Sequence, residues 1–143
     1  MEEKILNVLL VEDDEVDVMN VKRAFKKSNI NNPLYVAFNG LEALTMLRGC
    51  NGKSPQIPPR RRIILLDLNM PRMGGLEFLE ELRSDSTLKP IPVIVLTTSD
   101  EDKDRIEAYN LNVAGYLLKP VKFTQFAETM ATLNKYWSLC EIP

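Results

Sequence analysis

Five short apolar runs alternate with amphipathic stretches along this 143-residue chain, and no other feature constrains its fold as strongly. Strands that alternate with helices pair in parallel, and a parallel sheet is covered by helices on both faces. The first run, NVLLV, lies within residues 6–11 and ends in acids. A helix carrying Met19, Val21 and Phe25 follows and stops near Ser28. Residues 34–38 read as the second strand. Asn39 and Glu42 then stand at capping-box spacing, and the helix they open carries Leu41, Leu44 and Leu47 before ending near Gly49. The segment GCNGKSPQIPPRRR reads as an exposed loop over 49–61, with Arg60, Arg61 and Arg62 as solvated charge at its exit.

Residues 63–66 are the most apolar run and read as a central strand buried on both faces. A helix over 73–83 places Leu76, Leu79 and Leu82 three apart. Residues 92–96 form the fourth strand. A polar helix over 100–109 follows, capped by Ser99 or Asp100. Residues 116–118 form a short fifth strand. The last helix, over about 123–137, aligns Phe123, Phe126, Met130, Leu133 and Trp137 in one stripe. Five strands and five helices in strict alternation, joined by right-handed crossovers, give a doubly wound α/β sheet. The sequence holds no internal repeat, low-complexity stretch or linker, so one domain over 1–143 is expected.

Composition narrows the function. A chain of this length buries about two-thirds of its unfolded surface, so its core needs no staples. Its 20 acidic and 18 basic residues leave a net charge of -2, which gives no global attraction to nucleic acid or a membrane surface. The start, MEEKILNVLLVEDDE, lacks the basic flank and cleavage site of a signal peptide. No stretch reaches the roughly 20 apolar residues of a membrane span, so a cytoplasmic location is expected. Cys50 and Cys140 lie outside any CxxC spacing and read as reduced thiols. The chain has no histidine. Its chemistry therefore rests on carboxylates, hydroxyls and lysine.

Ligands of open α/β sheets bind outside the carboxyl ends of the strands. The polar residues at those ends are informative. Glu12, Asp13 and Asp14 follow the first strand, and Asp67 follows the third, before Leu68, Asn69, Met70 and Pro71. Thr97, Thr98 and Ser99 follow the fourth, and Lys119 and Pro120 the fifth. In a 2-1-3-4-5 strand order these groups converge on Asp67. Clustered carboxylates repel, and partial burial raises the cost, so a cation must offset them. Carboxylates suit a hard ion such as Mg²⁺, which keeps waters and a phosphate oxygen as its other ligands. With a lysine and a hydroxyl added, the set describes a phosphoryl site with Asp67 as nucleophile.

The motifs VLLVEDDE, ILLDLNMPRMGG, PVIVLTTS and YLLKPV together resemble the receiver domain of bacterial two-component response regulators, of the CheY-like superfamily. The resemblance covers about residues 5–137. It implies the flavodoxin-like (βα)5 fold, with strand order 2-1-3-4-5 and no output domain. Carried over position by position, it implies that Asp67 is the phosphoacceptor. Glu12 and Asp13, with Asp67 and the backbone carbonyl of Asn69, would hold Mg²⁺ or Mn²⁺. Thr97 would be the switch hydroxyl, Lys119 would pair with phosphoryl oxygens, and the rotamer of Tyr116 would follow Thr97. Pro120 would follow a cis peptide bond. Asp14 has no clear counterpart.

A finer likeness is to the small single-domain response regulators of cyanobacterial phytochrome-type histidine kinases. It rests on the 49–61 loop, LTTS and NLNVAGYLLKPV. It implies light signalling, a phytochrome-type kinase as phosphoryl donor, and a downstream protein or phosphotransfer partner. It also implies a homodimer through the fourth helix, fifth strand and fifth helix, with Phe123, Tyr136 and Trp137 as candidate contacts. The implied role is signalling, with self-catalysed phosphotransfer and autodephosphorylation in place of enzyme turnover. A phosphoaspartate hydrolase would instead carry DxD after the first strand, and position 69 here is Asn. A flavin-binding module would need a hydroxyl- and glycine-rich loop where this chain has acids. A degenerate receiver acting as a scaffold would lack part of the acid, threonine and lysine set.

Overall fold

The computed structural model describes residues 5–50, 52–70 and 72–143. Residues 1–4 of the chain's start, Asn51 in the long loop and Pro71 after Met70 lie outside the described residues. The elements are β1 (Asn7–Val11), α1 (Glu15–Lys27), β2 (Leu34–Ala37), α2 (Gly40–Arg48), β3 (Arg62–Leu66), α3 (Gly75–Ser84), β4 (Val93–Thr97), α4 (Asp102–Asn110), β5 (Gly115–Leu118) and α5 (Phe123–Leu139). The five strands pair in parallel in the order β2-β1-β3-β4-β5, as expected.

Side chains alternate across a strand, so each strand feeds two cores. Leu9, Val11, Ile64, Leu66, Val93 and Val95 pack toward α2, α3 and α4. Val8, Leu10, Ile63, Leu65, Ile94 and Leu96 pack toward α1 and α5. Strands β1, β3 and β4 are buried along their whole length. That is why their sequences are runs and not alternations. The sheet's middle is therefore rigid, and its carboxyl ends are fixed in space.

Several local expectations change. Arg62 is no solvated loop charge. It opens β3 and is buried, donating to the carbonyls of Pro58 (2.9 Å), Leu47 (3.0 Å) and Ile57 (2.6 Å). A guanidinium fork can satisfy three carbonyls at once, which is what makes its burial tolerable. Ile57 is also buried, so the 49–61 loop is anchored to the core. Helix α3 begins at Gly75, later than the expected 73, because Arg72 and Met73 hold left-handed φ of +50° and +67°. Neither Ser99 nor Asp100 caps α4: Ser99 Oγ donates to Asp104 (2.6 Å), and Asp100 pairs with Arg105. Asn39 does cap α2, accepting from the Glu42 amide at 2.8 Å, while the Glu42 carboxylate reaches the Phe38 amide at 3.4 Å.

Trp137 is 1% exposed and packs against Phe25, with ring centroids 6.5 Å apart. Its indole N–H donates to Asn134 at 2.8 Å. It is a core residue, and the expectation that it lines an outer contact surface fails because the α5 stripe turns it inward. Tyr136, the next residue, is exposed. Phe123 is half-buried beneath the Arg23 guanidinium, 4.1 Å from the ring centroid. Both cysteines are free. Among the described residues, no helix is long and apolar enough to cross a membrane.

Candidate functional site

Four neighbouring strands each deliver one chemical group to the same end of the sheet. Glu12 follows β1 directly, Asp67 follows β3, Thr97 is the last residue of β4, and Lys119 follows β5. Adjacent strands lie about 4.8 Å apart, so groups at neighbouring strand ends fall within interaction range. Backbone bonds extend the ladder past the strands: the Asp67 amide donates to Val11 (3.0 Å), and the Lys119 amide to Thr97 (2.8 Å).

Glu12, Asp13 and Asp67 bring one carboxylate oxygen each to within 4.8 Å of one another. Glu12 and Asp67 are buried. Burial pushes the Glu12 carboxyl from 4.5 up to about 7, with the Asp67 charge adding to the rise and Lys119 opposing it. Asp67 Oδ1 is buried with no hydrogen-bond partner. An orphaned buried carboxylate oxygen is costly, and it marks a place where a ligand completes the structure. The three acids and this orphan fit a hard divalent cation.

Lys119 is the counter-charge already present. Its ammonium hydrogen-bonds Glu12, donates to Asp17 at 2.9 Å and lies 3.8 Å from Asp67 Oδ2. Burial disfavours its charge, yet the bonds to Asp17 and Glu12 outweigh that and raise its pKa. Lys119 reaches these acids across a trans bond to Pro120, since the described residues contain no cis peptide bond. The cis isomer expected before Pro120 is therefore corrected. Trans is favoured by about 0.5–1 kcal/mol at any X–Pro bond, and here the lysine is already oriented by its carboxylates.

Thr97 is fully buried, and its hydroxyl oxygen accepts from the Ser99 amide at 3.3 Å. Tyr116 is half-buried and donates its hydroxyl proton to the Ser99 carbonyl at 2.8 Å. Both side chains therefore hold the segment that leaves β4. Asn69 lies exposed in the loop after Asp67. That loop needs Gly75, where a Cβ would stand 2.6 Å from the Asp67 carbonyl oxygen.

Two acids had no assigned place in the sequence pattern. Asp14 is the N-cap of α1, its carboxylate accepting from the amides of Val16 (2.8 Å) and Asp17 (3.3 Å). Asp17 was missed altogether. The available signal was its position in the first turn of the helix that starts beside the strand-end acids.

A family model of the response regulator receiver domain matches residues 8–131. Rcp1 of Synechocystis sp., a response regulator, is 36% identical over 130 residues, covering 91% of this chain and 87% of Rcp1. The probable methanogenesis regulatory protein FilR2 of Methanothrix harundinacea is also 36% identical, covering 91% of this chain and 82% of its own. The crystal structure of the phosphorylated cyanobacterial phytochrome response regulator RcpA superposes with a TM-score of 0.83 at 32% identity, covering 97% of this chain and 99% of RcpA. The Mn²⁺-bound form of Rcp1 gives 0.82 at 34%, covering 96% and 99%. Receiver domains are signalling modules that bind a divalent metal and have a histidine kinase as partner. The chain is a member of the response regulator receiver domain family and acts as a phosphoacceptor in two-component signalling.

Proposed function

We propose that Asp67 is the residue that takes the phosphoryl group, from a histidine kinase of the phytochrome type. The observation that carries the assignment is the orphaned Oδ1 of Asp67, buried between two acids and a lysine. The chain has no histidine, so the phosphohistidine lies outside these 143 residues. A carboxylate oxygen of Asp67 attacks phosphorus in line, the P–N bond breaks, and the imidazole leaves. Lys119 balances the charge of the phosphoryl oxygens, and the Thr97 hydroxyl turns to one of them. Tyr116 then follows into the space that Thr97 leaves.

Glu12, Asp13, Asp67 and the backbone carbonyl of Asn69 would hold the metal, Mg²⁺ or Mn²⁺. Bound there, it supplies positive charge that offsets the carboxylates and the phosphoryl oxygens. The phytochrome partnership is supported by the likeness to RcpA, a phytochrome response regulator. Exposed Ile106, Tyr109, Leu118 and Tyr136 on α4, β5 and α5 support a homodimer through that face, with signal output to a downstream protein or phosphotransfer partner. Mg²⁺-dependent labelling by acetyl phosphate, lost in Asp67→Asn, tests the assignment. Persistent aspartyl-phosphate in that variant sinks it.

A further inference from the structure

We propose that Asp17 is a positioning residue for Lys119, drawing the ammonium away from Asp67 so that this one of the metal carboxylates stays open. The inference rests on the reading of Asp67 as phosphoacceptor. An ammonium has three N–H groups. Two of them go to Glu12 and Asp17, while Asp67 Oδ2 at 3.8 Å lies beyond hydrogen-bond distance. Glu12 and Asp67 are buried strand-end groups whose places the sheet fixes. Asp17 stands apart from them. It comes from the first turn of α1, and its side chain is 34% exposed.

The consequence follows from what remains when Asp17 loses its charge. Glu12 and Asp67 are then the only carboxylates within 4 Å of the ammonium among the described residues. Those are two of the three acids that converge for a cation. Lys119 has only a short way to move, because Asp67 Oδ2 already lies 3.8 Å from its ammonium, just beyond hydrogen-bond distance. A Lys119 that keeps Glu12 and adds Asp67 competes with a divalent ion at a second carboxylate. With Asp17 in place, one of its protons is held on the helix side.

Mg²⁺ affinity, measured by titration calorimetry on the full chain, is the readout. Asp17→Asn should weaken Mg²⁺ binding about two- to fivefold, the range of a partly exposed ion pair. Asp17→Glu, which keeps the charge, should restore at least half of that loss. In a Lys119→Met background the Asp17→Asn effect should shrink by half or more, since the positioned group is gone. Equal losses in both backgrounds would mean that Asp17 acts by its charge alone and would overturn the proposal. Unchanged affinity in Asp17→Asn would do the same. Acetyl phosphate labelling of the wild type, lost in Asp67→Asn, reports separately on the phosphoacceptor reading, so the two failures are distinct.

Discussion

The amide of Gly40 donates to the carbonyl of Met73 at 3.3 Å, tying the start of α2 to the loop that leaves Asp67. A Cβ at residue 40 would stand 2.8 Å from Met73 Cγ and 2.9 Å from Met73 O. Met73 cannot yield easily, since it sits at φ +67° beside Arg72 at +50°. Gly40→Ala should therefore cost about 1–3 kcal/mol in urea unfolding, the range of overpacking. It should also slow acetyl phosphate labelling, because the displaced loop carries Asn69. Labelling at the wild-type rate in a destabilised variant would separate the contact from the site.

Metal should stabilise the fold. A ligand that binds the native state alone adds about 2.7 kcal/mol at a hundred times its dissociation constant. Mg²⁺ should raise the melting temperature accordingly, and a chelator should reverse the rise. Asp13→Asn should blunt the response, as Asp13 is one of the three converging acids. A melting temperature indifferent to Mg²⁺ would contradict the cation site.

Arg62 should matter for stability and not for binding. It satisfies three buried carbonyls at the opposite end of β3 from Asp67. Arg62→Met should cost about 2–4 kcal/mol, since each orphaned acceptor is expensive. Arg62→Lys should recover little, because an ammonium lacks the planar fork. Mg²⁺ affinity at temperatures where the variants stay folded should remain at the wild-type value.

Acid should expose a second structural charge. Burial disfavours ionised Asp85, but the bond to Arg48 (2.9 Å) and the amides of Thr87 and Leu88 outweigh it, lowering its pKa below 3.8. A carboxyl with a depressed native pKa stabilises the fold above its unfolded pKa, and that stability is lost as pH falls through the native value. Urea midpoints should thus drop below about pH 4 in the wild type by more than in Asp85→Asn. Parallel pH profiles for the two proteins would remove Asp85 from the account.

The Tyr116 hydroxyl bond should govern local order more than chemistry. Tyr116→Phe removes its bond to the Ser99 carbonyl. Hydrogen exchange should speed up in residues 98–101, with labelling by acetyl phosphate staying within about twofold of wild type, as one neutral hydrogen bond is worth about 1 kcal/mol. Unchanged exchange would show that the segment is held by other contacts.

The sheet was legible from sequence because buried parallel strands appear as unbroken apolar runs, and Glu12, Asp67, Thr97 and Lys119 were legible because they end those runs. What stayed hidden has a common physical cause. Arg62 carries a charge whose burial depends on three carbonyls that meet only in the fold. Trp137 lies on the same apolar stripe as Phe126 and Met130, and only the docking of α5 beside Phe25 of α1 decides between the core and a partner surface. The start of α3 depends on two left-handed residues that no periodicity encodes. Asp14 and Asp17 look alike in an acidic run; one caps a helix and the other binds a lysine 102 residues away.

Because Glu12, Asp67, Thr97 and Lys119 all adjoin strand ends, their spacing is inherited from the repeat of the sheet itself. The sheet works as a ruler with one mark per strand. A one-residue slip of β3 would put Leu66 or Leu68 at the mark that Asp67 now holds, and the site would lose its central acid. The long loop that precedes β3 enters at the far end of that ruler. There Ile57 and the Arg62 guanidinium pin it to the core, so a change in the loop is felt as stability and not as a moved mark.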